Sequence, residues 1–371
     1  MKKTFKIAAL ALFAGLTLAS CSENDGPIQK VVTVQKEMLV LNQGNYFGGV
    51  EGTLDRLELG MTTNDFWNGT ITSNVFKAAN GQSLGDTPQN AVMCGSKLYV
   101  SVYASKLVWV LNPSTKKIIK SISTTDPEWV TTDGKNVYVA NNNGYVTRID
   151  TATYAKDSIQ VGPNPACLVV AKNYLYASIS DGYNYANGYA NGKKVAKIDL
   201  KTFTKTKDIA VGMNPGRMDV DNAGNVFVVC NGNYADVAAE VQRISASDEV
   251  KKVAEGNNIV CLNNLLYVFN VKSDWATGEV NTSVKIFDGS SLQGQSVNRF
   301  EEREMAPAPT GVFTDLNQNY VIITSDADAK SYNKPGFVYV YKKDGSFVKK
   351  FNVGIHPYFV LFPGIQTTVT I

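Results

Sequence analysis

Short stretches of alternating apolar and polar residues recur along most of the chain, separated by turns rich in Gly, Asn and Asp. Clear examples are residues 97–102, 136–140 and 174–179, where β-branched and aromatic side chains predominate. Because the side chains of a strand alternate between its two faces, this two-residue period predicts short β-strands. The one strong helical signal is an apolar run near the N-terminus. The pattern therefore predicts an all-β protein.

The predicted strands are arranged in a repeat. Each copy begins with a turn, usually containing proline, and continues with an apolar strand, an aromatic-rich strand, a strand that often ends at Asp or Asn, and a short fourth strand. The spacing between copies, 38 to 51 residues, is near the length of a four-stranded propeller blade. The sequence therefore predicts a seven-bladed β-propeller of four-stranded antiparallel blades. The copies start at residues 88, 127, 165, 215, 258, 309 and 357.

The two ends of the repeat region complement each other. The last start, at residue 357, is followed by one clear strand, 358–362, whereas residues 38–41 begin like a second strand with no turn before them. We therefore expect N- and C-terminal strands to share one blade, with the C-terminal strand innermost and residues 38 to about 84 supplying the rest. Closing the ring in this way removes exposed sheet edges. The propeller is expected to span residues 37–371, with 367–371 as an additional strand of unassigned place.

The N-terminus has the pattern of an export signal. Lys2, Lys3 and Lys6 precede an apolar run, residues 7–18, that is too short to span a bilayer comfortably. The run ends in Leu-Ala-Ser-Cys, which resembles a lipobox with Cys21 as the acylated residue. This predicts a lipoprotein signal peptide at 1–20 and a lipidated linker at 21–36. An ordinary secretory signal, with an incidental Cys21, is the alternative.

The acidic, flexible stretch 22–26 is similar to the surface-export signal of Bacteroidota lipoproteins, although a plain linker would also explain it. We therefore expect a lipid-anchored protein exposed at the surface of the outer membrane. Outside residues 7–18 no stretch approaches about 18 consecutive apolar residues, so the lipid would be the only membrane contact.

Removal of the signal peptide changes the charge balance. The full sequence has 36 Lys and Arg, 33 Asp and Glu, and a formal net charge of +3. The three basic residues of the signal account for the whole excess, so the mature chain would be neutral. A nucleic-acid-binding protein needs a basic surface to attract phosphates, and this composition argues against that class.

The cysteines and the single histidine indicate no metal centre. Cys94, Cys167, Cys230 and Cys261 each lie in or beside an apolar run, and no Cys-x-x-Cys occurs. They are interpreted as buried free thiols, with disulfide pairing left open. With His356 as the only histidine, a Cys/His zinc site is not expected. No catalytic cofactor is predicted either.

In a propeller, the loops between second and third strands share a face with the loops that join one blade to the next. Here those loops are rich in Tyr, Asn and Gly, a composition typical of adaptable binding surfaces. Asn and Gly also form turns, and Tyr is common at strand ends, but turn geometry does not require three tyrosines in one loop. The candidate ligand-binding residues are Asn45, Tyr46, Phe47, Trp129, Asn141, Asn142, Asn143, Tyr183, Tyr185, Tyr189, Arg217, Asn233, Tyr234, Asp274, Trp275, Asp328, Tyr332, His356 and Tyr358.

Catalytic signatures are weak. The chain has no Gly-x-Ser-x-Gly elbow, P-loop or His-Glu-x-x-His motif. His356 could act as a general base, but its place beside Pro357 in a turn is equally a structural one. We therefore predict no enzyme and no catalytic residues, and keep a propeller lyase or hydrolase as an alternative.

Residues 136–141, Asn-Val-Tyr-Val-Ala-Asn, look like the Tyr-Val-Thr-Asn type of propeller repeat. Together with the lipobox, the acidic segment and the Tyr/Asn-rich loops, they make the chain resemble the cobalamin-binding surface lipoproteins of gut Bacteroidota (BtuG type). The resemblance implies capture of vitamin B12 or a related corrinoid, as a ligand, and its delivery to a TonB-dependent outer-membrane transporter. It supplies no residue motif, so the candidate residues rest on topology. A surface module that binds a glycan or a protein is the alternative.

Overall fold

The structure is a computed structural model that describes residues 29–274, 276–295, 300, 305–330 and 332–370. Its regular structure is almost entirely β-strand, as the alternation of apolar and polar residues predicted. Seven four-stranded antiparallel sheets form the blades of a ring. The predicted fold, a seven-bladed β-propeller, is confirmed.

The elements follow the blades in order. The first are β1 (Gln29–Gln35), β2 (Glu37–Asn42), β3 (Thr53–Glu58), β4 (Ile71–Thr72) and helix α1 (Val75–Asn80). Blade 2 contains β5 (Pro88–Cys94), β6 (Lys97–Val102), β7 (Leu107–Leu111) and β8 (Ile118–Ser123). Blade 3 contains β9 (Pro127–Thr132), β10 (Asn136–Asn141), β11 (Tyr145–Asp150) and β12 (Lys156–Gln160). Blade 4 contains β13 (Pro165–Ala171), β14 (Tyr174–Ile179), a 3₁₀ turn (Tyr185–Asn187), β15 (Lys194–Asp199) and β16 (Thr204–Ala210).

Blade 5 contains β17 (Pro215–Val220), β18 (Val226–Cys230), β19 (Glu240–Ile244) and β20 (Val250–Glu255). Blade 6 contains β21 (Asn258–Leu262), β22 (Leu265–Ser273), β23 (Val280–Asp288) and β24 (Gly294–Gln295). Blade 7 contains β25 (Ala308–Thr314), β26 (Tyr320–Asp326), β27 (Pro335–Lys342) and β28 (Phe347–Ile355). The last strands are β29 (Pro357–Leu361) and β30 (Gly364–Thr370).

Blade 1 closes the ring as the sequence predicted. Its sheet has the order β29-β2-β3-β4, so the C-terminal strand is innermost and the N-terminal segment supplies the other three. The pairing of Leu39 with Leu361 and of Val40 with Val360 fixes the register. The ring is therefore held shut by backbone hydrogen bonds between segments more than 300 residues apart along the chain.

Two parts of the structure differ from the sequence-based expectations. Helix α1 was not predicted, because six residues are too short to show a helical period. The Asn74 side chain caps the N-terminus of α1 by accepting a hydrogen bond from the Lys77 amide. Phe76 of this helix is fully buried between blades 1 and 2. In blade 6, β22 and β23 pair as far as Ser273 and Val280, beyond the predicted end at 269.

Residues near both termini form a separate two-stranded ribbon. β1 pairs antiparallel with β30, from Gln29 opposite Thr370 to Gln35 opposite Gly364. The ribbon explains the additional C-terminal strand, although Ile371 lies outside the described residues. It also places β1 inside the segment that the sequence suggested as linker, 21–36.

The hydrophobic core lies between neighbouring blades. Leu39, Leu98 and Val100 belong to one cluster shared by blades 1 and 2, and all three are buried. Comparable clusters occupy the other blade interfaces. Burying a Leu or Val side chain contributes about 1.5–3 kcal/mol, so packing of blade against blade stabilises the ring.

One face of the ring is built by a repeated backbone hydrogen bond. The residue just before an innermost strand has a positive φ, between 44° and 58°, in five blades. Its carbonyl accepts a hydrogen bond from the amide of the residue directly after the second strand of the same blade, at 2.9 to 3.1 Å. Inter-blade loops and second-to-third-strand loops therefore meet at one face, as predicted. The residues with positive φ are Thr87, Asp126, Asn164, Asn214 and His356.

The cysteines are buried free thiols in the described structure: Cys94, Cys167, Cys230 and Cys261. No helix within the described residues is long and apolar enough to cross a membrane. The predicted signal peptide, 1–20, and Cys21 lie outside the described residues.

Candidate functional site

We call the face built by these two sets of loops the mouth. Every aromatic side chain that is exposed in the described part of the chain lies on a mouth loop or at the mouth end of a strand. Single exposed rings are common on protein surfaces, but their confinement to one face of a ring is not required by the fold. The mouth is therefore the candidate binding surface. The exposed rings are those of Tyr46, Phe47, Tyr145, Tyr183, Tyr185, Tyr234 and Tyr332.

Four polar side chains from blades 2, 3 and 4 form a hydrogen-bonded group, which we call the tyrosine–asparagine cluster: Tyr103, Asn142, Asn164 and Tyr183. The hydroxyls of Tyr103 and Tyr183 are 2.6 Å apart, and Asn142 Nδ2 is 3.0 and 2.8 Å from them. Asn164 donates to Asn142 Oδ1 at 2.8 Å. Burial, together with the Tyr183 hydroxyl, raises the pKa of Tyr103. The cluster presents both donors and acceptors to a ligand.

Glu128 lies directly beside this cluster. It is the second residue of β9, at a β-bulge, because Pro127 pairs with Asn141 while Trp129 already pairs with Ala140. A bulge releases one residue from strand pairing and can redirect its side chain. Glu128 Oε1 accepts a hydrogen bond from Asn142 Nδ2 at 3.2 Å. Burial, and secondarily the negative charge of Asp126, raises the pKa of Glu128 to about 7.

Glu128 was missed by the sequence reasoning, although a signal for it exists. It follows the proline that starts a blade, and the same position is Gln89 in blade 2 and Tyr358 in blade 1. In both blade 3 and blade 1, the strand register shifts at this position. Among the blades that start with proline, only blade 3 has a carboxylate there.

Below the mouth, four side chains from blades 1, 3, 5 and 7 meet at the axis and form what we call the axial plug: Trp129, Arg217, Phe313 and Phe359. The Phe359 ring lies 5.6 Å from Trp129 and 5.1 Å from Phe313. The Arg217 guanidinium lies 4.4 Å from the Phe313 ring and donates to the Val312 carbonyl at 2.8 Å. Trp129 and Arg217 were predicted site residues. The structure places them together at the axis, with the Arg217 guanidinium 5.9 Å from the Trp129 ring.

His356 and Tyr358 hold another part of the rim. His356 Nδ1 is 2.9 Å from Asp326, and its ring stacks on Tyr358 at a centroid distance of 6.0 Å. Like Asn164 and Asn214, His356 directly precedes an innermost strand and has a positive φ. These contacts give it a structural role at the rim. Burial raises the pKa of Tyr358 to about 12.

Several predicted site residues stabilise their own loops. Asn141 is buried and donates to Thr147 at 2.9 Å. Tyr189 is 5% exposed, so it offers a ligand little surface. Asn233 accepts from the Val237 amide at 2.9 Å, and Asp274 accepts from Ala276 at 2.8 Å.

The remaining candidates lie at the outer rim. Asn45 donates to Asn333 at 2.5 Å and so links the loops of blades 1 and 7. Asp328 pairs with Lys334 at 3.2 Å. Asn143 is exposed, and Trp275 lies outside the described residues. Tyr46, Phe47, Tyr185, Tyr234 and Tyr332 project from the rim as exposed rings.

Two surface recesses lie away from the axis. One, of about 310 Å³, is lined by Asn141, Asn143 and neighbouring residues of blade 3, and the other, of about 340 Å³, lies between blades 5 and 6. Neither recess includes the tyrosine–asparagine cluster or Glu128. No group of His, Cys, Asp and Glu suited to a metal ion occurs among the described residues.

The fold has solved counterparts of low sequence identity. Hydrazine synthase of Kuenenia stuttgartiensis matches with a TM-score of 0.61 and 16% identity, over 76% of this chain and 95% of that chain. A quinoprotein alcohol dehydrogenase-like protein of Bacteroides thetaiotaomicron matches with 0.60 and 14%, over 91% and 86%. A chain of the mitotic checkpoint complex matches with 0.53 and 13%, over 73% and 80%. The shared fold is the β-propeller. No protein-family model and no curated protein matches the chain.

Proposed function

We propose that the protein is a surface-anchored binding propeller that captures a corrinoid at its mouth and passes it to a TonB-dependent outer-membrane transporter. The observation that carries the proposal is the confinement of the exposed aromatic side chains to the mouth. The tyrosine–asparagine cluster and the axial plug lie within the same ring of loops. A ligand would therefore rest on a closed floor, between aromatic rings and fixed polar groups.

The chemistry of a corrinoid suits this surface. A corrinoid is a broad, nearly flat ligand edged with amide side chains. Tyr rings offer large contact areas at low entropic cost, and Asn side chains and Tyr hydroxyls pair with amides. An open mouth accepts a ligand too wide for a narrow pocket. The neutral charge of the mature sequence suits a ligand of little net charge.

The path of the chain supports an anchored orientation. β1 reaches the ring on the face opposite the mouth, where Gln35 donates to Asp315 at 3.1 Å in the loop after β25. A lipid on Cys21, eight residues before Gln29, would then hold the membrane on that side. The mouth would face away from the anchor, towards ligand and transporter. Protease or antibody access to the mouth loops on intact cells tests this orientation.

Titration with cyanocobalamin tests the proposed function. We expect saturable binding at micromolar concentration or tighter, detected by calorimetry or by a shift in the visible spectrum of the ligand. Absence of binding at micromolar concentrations would contradict it. A glycan array run in parallel tests the alternative of a glycan-binding module, for which the same exposed rings would stack on sugars.

The proposal assigns the protein no reaction. A propeller lyase or hydrolase would need an acid or base at the mouth, and the carboxyl with a pKa near neutrality is that of Glu128. His356 is instead engaged with Asp326. Turnover of a bound ligand that is lost in Glu128→Gln would favour the enzyme alternative over capture.

A further inference from the structure

We propose that Glu128 selects the ligand at the mouth: its carboxylate accepts a hydrogen bond from an uncharged N–H donor of the ligand, a primary amide at the corrinoid edge, and repels an anionic group there. This inference rests on the proposed function. It assigns a specific contact to a residue that lies beside the exposed rings and the tyrosine–asparagine cluster.

The Glu128 carboxylate is only partly satisfied by hydrogen bonds. A carboxylate can accept about four hydrogen bonds, and the described structure gives Glu128 only one donor, Asn142. The Asn142 amide has two hydrogens but three acceptors within reach: Tyr103, Tyr183 and Glu128. The contact with Glu128 is the longest of the three, at 3.2 Å. Glu128 therefore has acceptor capacity that no described side chain uses.

No positive charge compensates that of the Glu128 carboxylate in the described structure. Within the described residues no Lys or Arg pairs with it, and Lys106, which follows β6, pairs with Asp126 at 3.6 Å. Arg217 of β17 packs on the Phe313 ring and donates to a carbonyl. Tyr103, Tyr183 and Tyr358 supply hydroxyls from three other blades. A largely buried carboxylate without a cation beside it favours a hydrogen-bond donor and disfavours a second anion.

A ligand at the mouth can reach Glu128. Glu128 is partly exposed, at a bulge in an innermost strand, and the loops around it carry the exposed rings. A flat ligand resting on those rings would bring its edge groups over the floor of the mouth. An amide N–H of the ligand directed at Glu128 would give this carboxylate a second hydrogen bond, which the described residues themselves do not supply.

Protonation gives the contact a pH signature. The ionised form of Glu128 accepts the bond, so ligand binding lowers the pKa of this carboxyl from its value of about 7 in the free protein. Affinity then falls as the pH drops through 7. The loss is at most about tenfold between pH 8 and pH 6, since one group is titrated.

The test compares cyanocobalamin with its derivatives in which one edge amide is hydrolysed to a carboxylate, using calorimetry at pH 6 and pH 8. The wild-type protein is expected to bind at least one derivative about tenfold or more weakly than cyanocobalamin. In Glu128→Gln the discrimination and the pH dependence are both expected to disappear. Glu249→Gln removes an exposed carboxylate between β19 and β20, away from the mouth loops, and is expected to behave like the wild type.

The outcomes separate the two proposals. If the wild type binds no cyanocobalamin at either pH, the proposed function and this inference both fail. If it binds, and Glu128→Gln keeps the discrimination and the pH dependence, only this inference fails. Carbon-13 NMR of the glutamate carboxyls in the wild type is an independent check that needs no variant. A resonance that titrates near pH 7 and moves to lower pH with ligand supports the inference; one unaffected by ligand contradicts it.

Discussion

At the scale of single residues, the mouth combines two groups whose pKa values are raised by burial. Glu128 and Tyr103 have raised pKa values because protein surrounds them, and one amide, that of Asn142, joins them. A fully satisfied set of hydrogen bonds would stabilise the fold more than one shared amide does, so this arrangement suits a site that a ligand completes.

The raised pKa of Glu128 predicts a pH-dependent effect on stability in the absence of ligand. The folded protein binds this proton more tightly than the unfolded chain, so the wild type loses stability as the pH rises towards and through 7. Glu128→Gln removes that loss and is expected to raise the free energy of unfolding by about 1–2 kcal/mol at pH 8. At pH 4 the variant should gain little. Urea unfolding at both pH values, with Glu249→Gln as control, measures this; equal gains at both would contradict it.

Tyr183 tests the contribution of the exposed rings to binding. Its ring is exposed and its hydroxyl bonds Tyr103 and Asn142. Tyr183→Ala is expected to weaken cyanocobalamin binding by about 1–2 kcal/mol, or five- to thirtyfold, because aromatic area and a hydroxyl are lost together. Tyr145→Ala also removes an exposed ring, but outside the cluster, and should weaken binding less than Tyr183→Ala does. Equal effects of the two variants would contradict the assignment of the cluster.

At the scale of the strands and loops, the residue before the innermost strand controls how the mouth is built in five of the seven blades. Thr87, Asp126, Asn164, Asn214 and His356 all adopt the left-handed region that Asn tolerates better than most residues do. Their carbonyls tie the inter-blade loop to the loop after the second strand. The same positions therefore determine both the geometry of the blade and the shape of the mouth.

Asn214 allows this to be tested, because its φ is 54° and it is buried. Asn214→Val places a β-branched residue in the left-handed region and is expected to reduce the free energy of unfolding by about 1–2 kcal/mol. Asn214→Gly keeps the conformation accessible and should cost less than half as much. Thermal or urea unfolding of both variants measures the difference. A glycine variant as unstable as the valine variant would mean that the side chain, not the backbone, is responsible.

The strands were predictable from sequence because local features define them. Proline at the start of an innermost strand and two-residue alternation within it located the beginnings at 88, 127, 165, 215 and 357, and alternation after a proline-free turn located the one at 258. The importance of Glu128 could not be predicted, because it depends on Asn142 and Asp126 and on a bulge that only strand pairing reveals. Two of the four residues of the axial plug were predicted: Trp129 and Arg217 each come two residues after the proline that starts a blade. The sequence around Phe313 and Phe359 indicates ordinary core residues.

At the scale of the whole molecule, closure by blade 1 and the β1–β30 ribbon are separable. β29 supplies the innermost strand of blade 1, whereas β30 pairs only with β1. A propeller that loses a closing strand exposes a sheet edge and the hydrophobic surface of two blades. The ribbon, as two strands alone, contributes little to that core.

Two truncations distinguish these roles. Ending the chain after His356 removes β29 and is expected to abolish the cooperative unfolding transition and to promote aggregation. Ending it after Pro363 removes only β30, so the midpoint of thermal unfolding should change by a few degrees at most. Circular dichroism on heating, with size-exclusion chromatography, measures both. A stable, monomeric protein lacking β29 would contradict closure by the C-terminal strand.

The central claim, that the mouth binds the ligand, is tested most directly by amide hydrogen exchange with and without saturating cyanocobalamin. Protection is expected in the loops at 43–52, 142–144, 180–193 and 231–239, which surround the tyrosine–asparagine cluster and the axial plug. The loops of the opposite face, such as 315–319, should exchange at the same rate in both samples. Protection confined to the opposite face or to the blade edges, or no protection at all, would contradict the account.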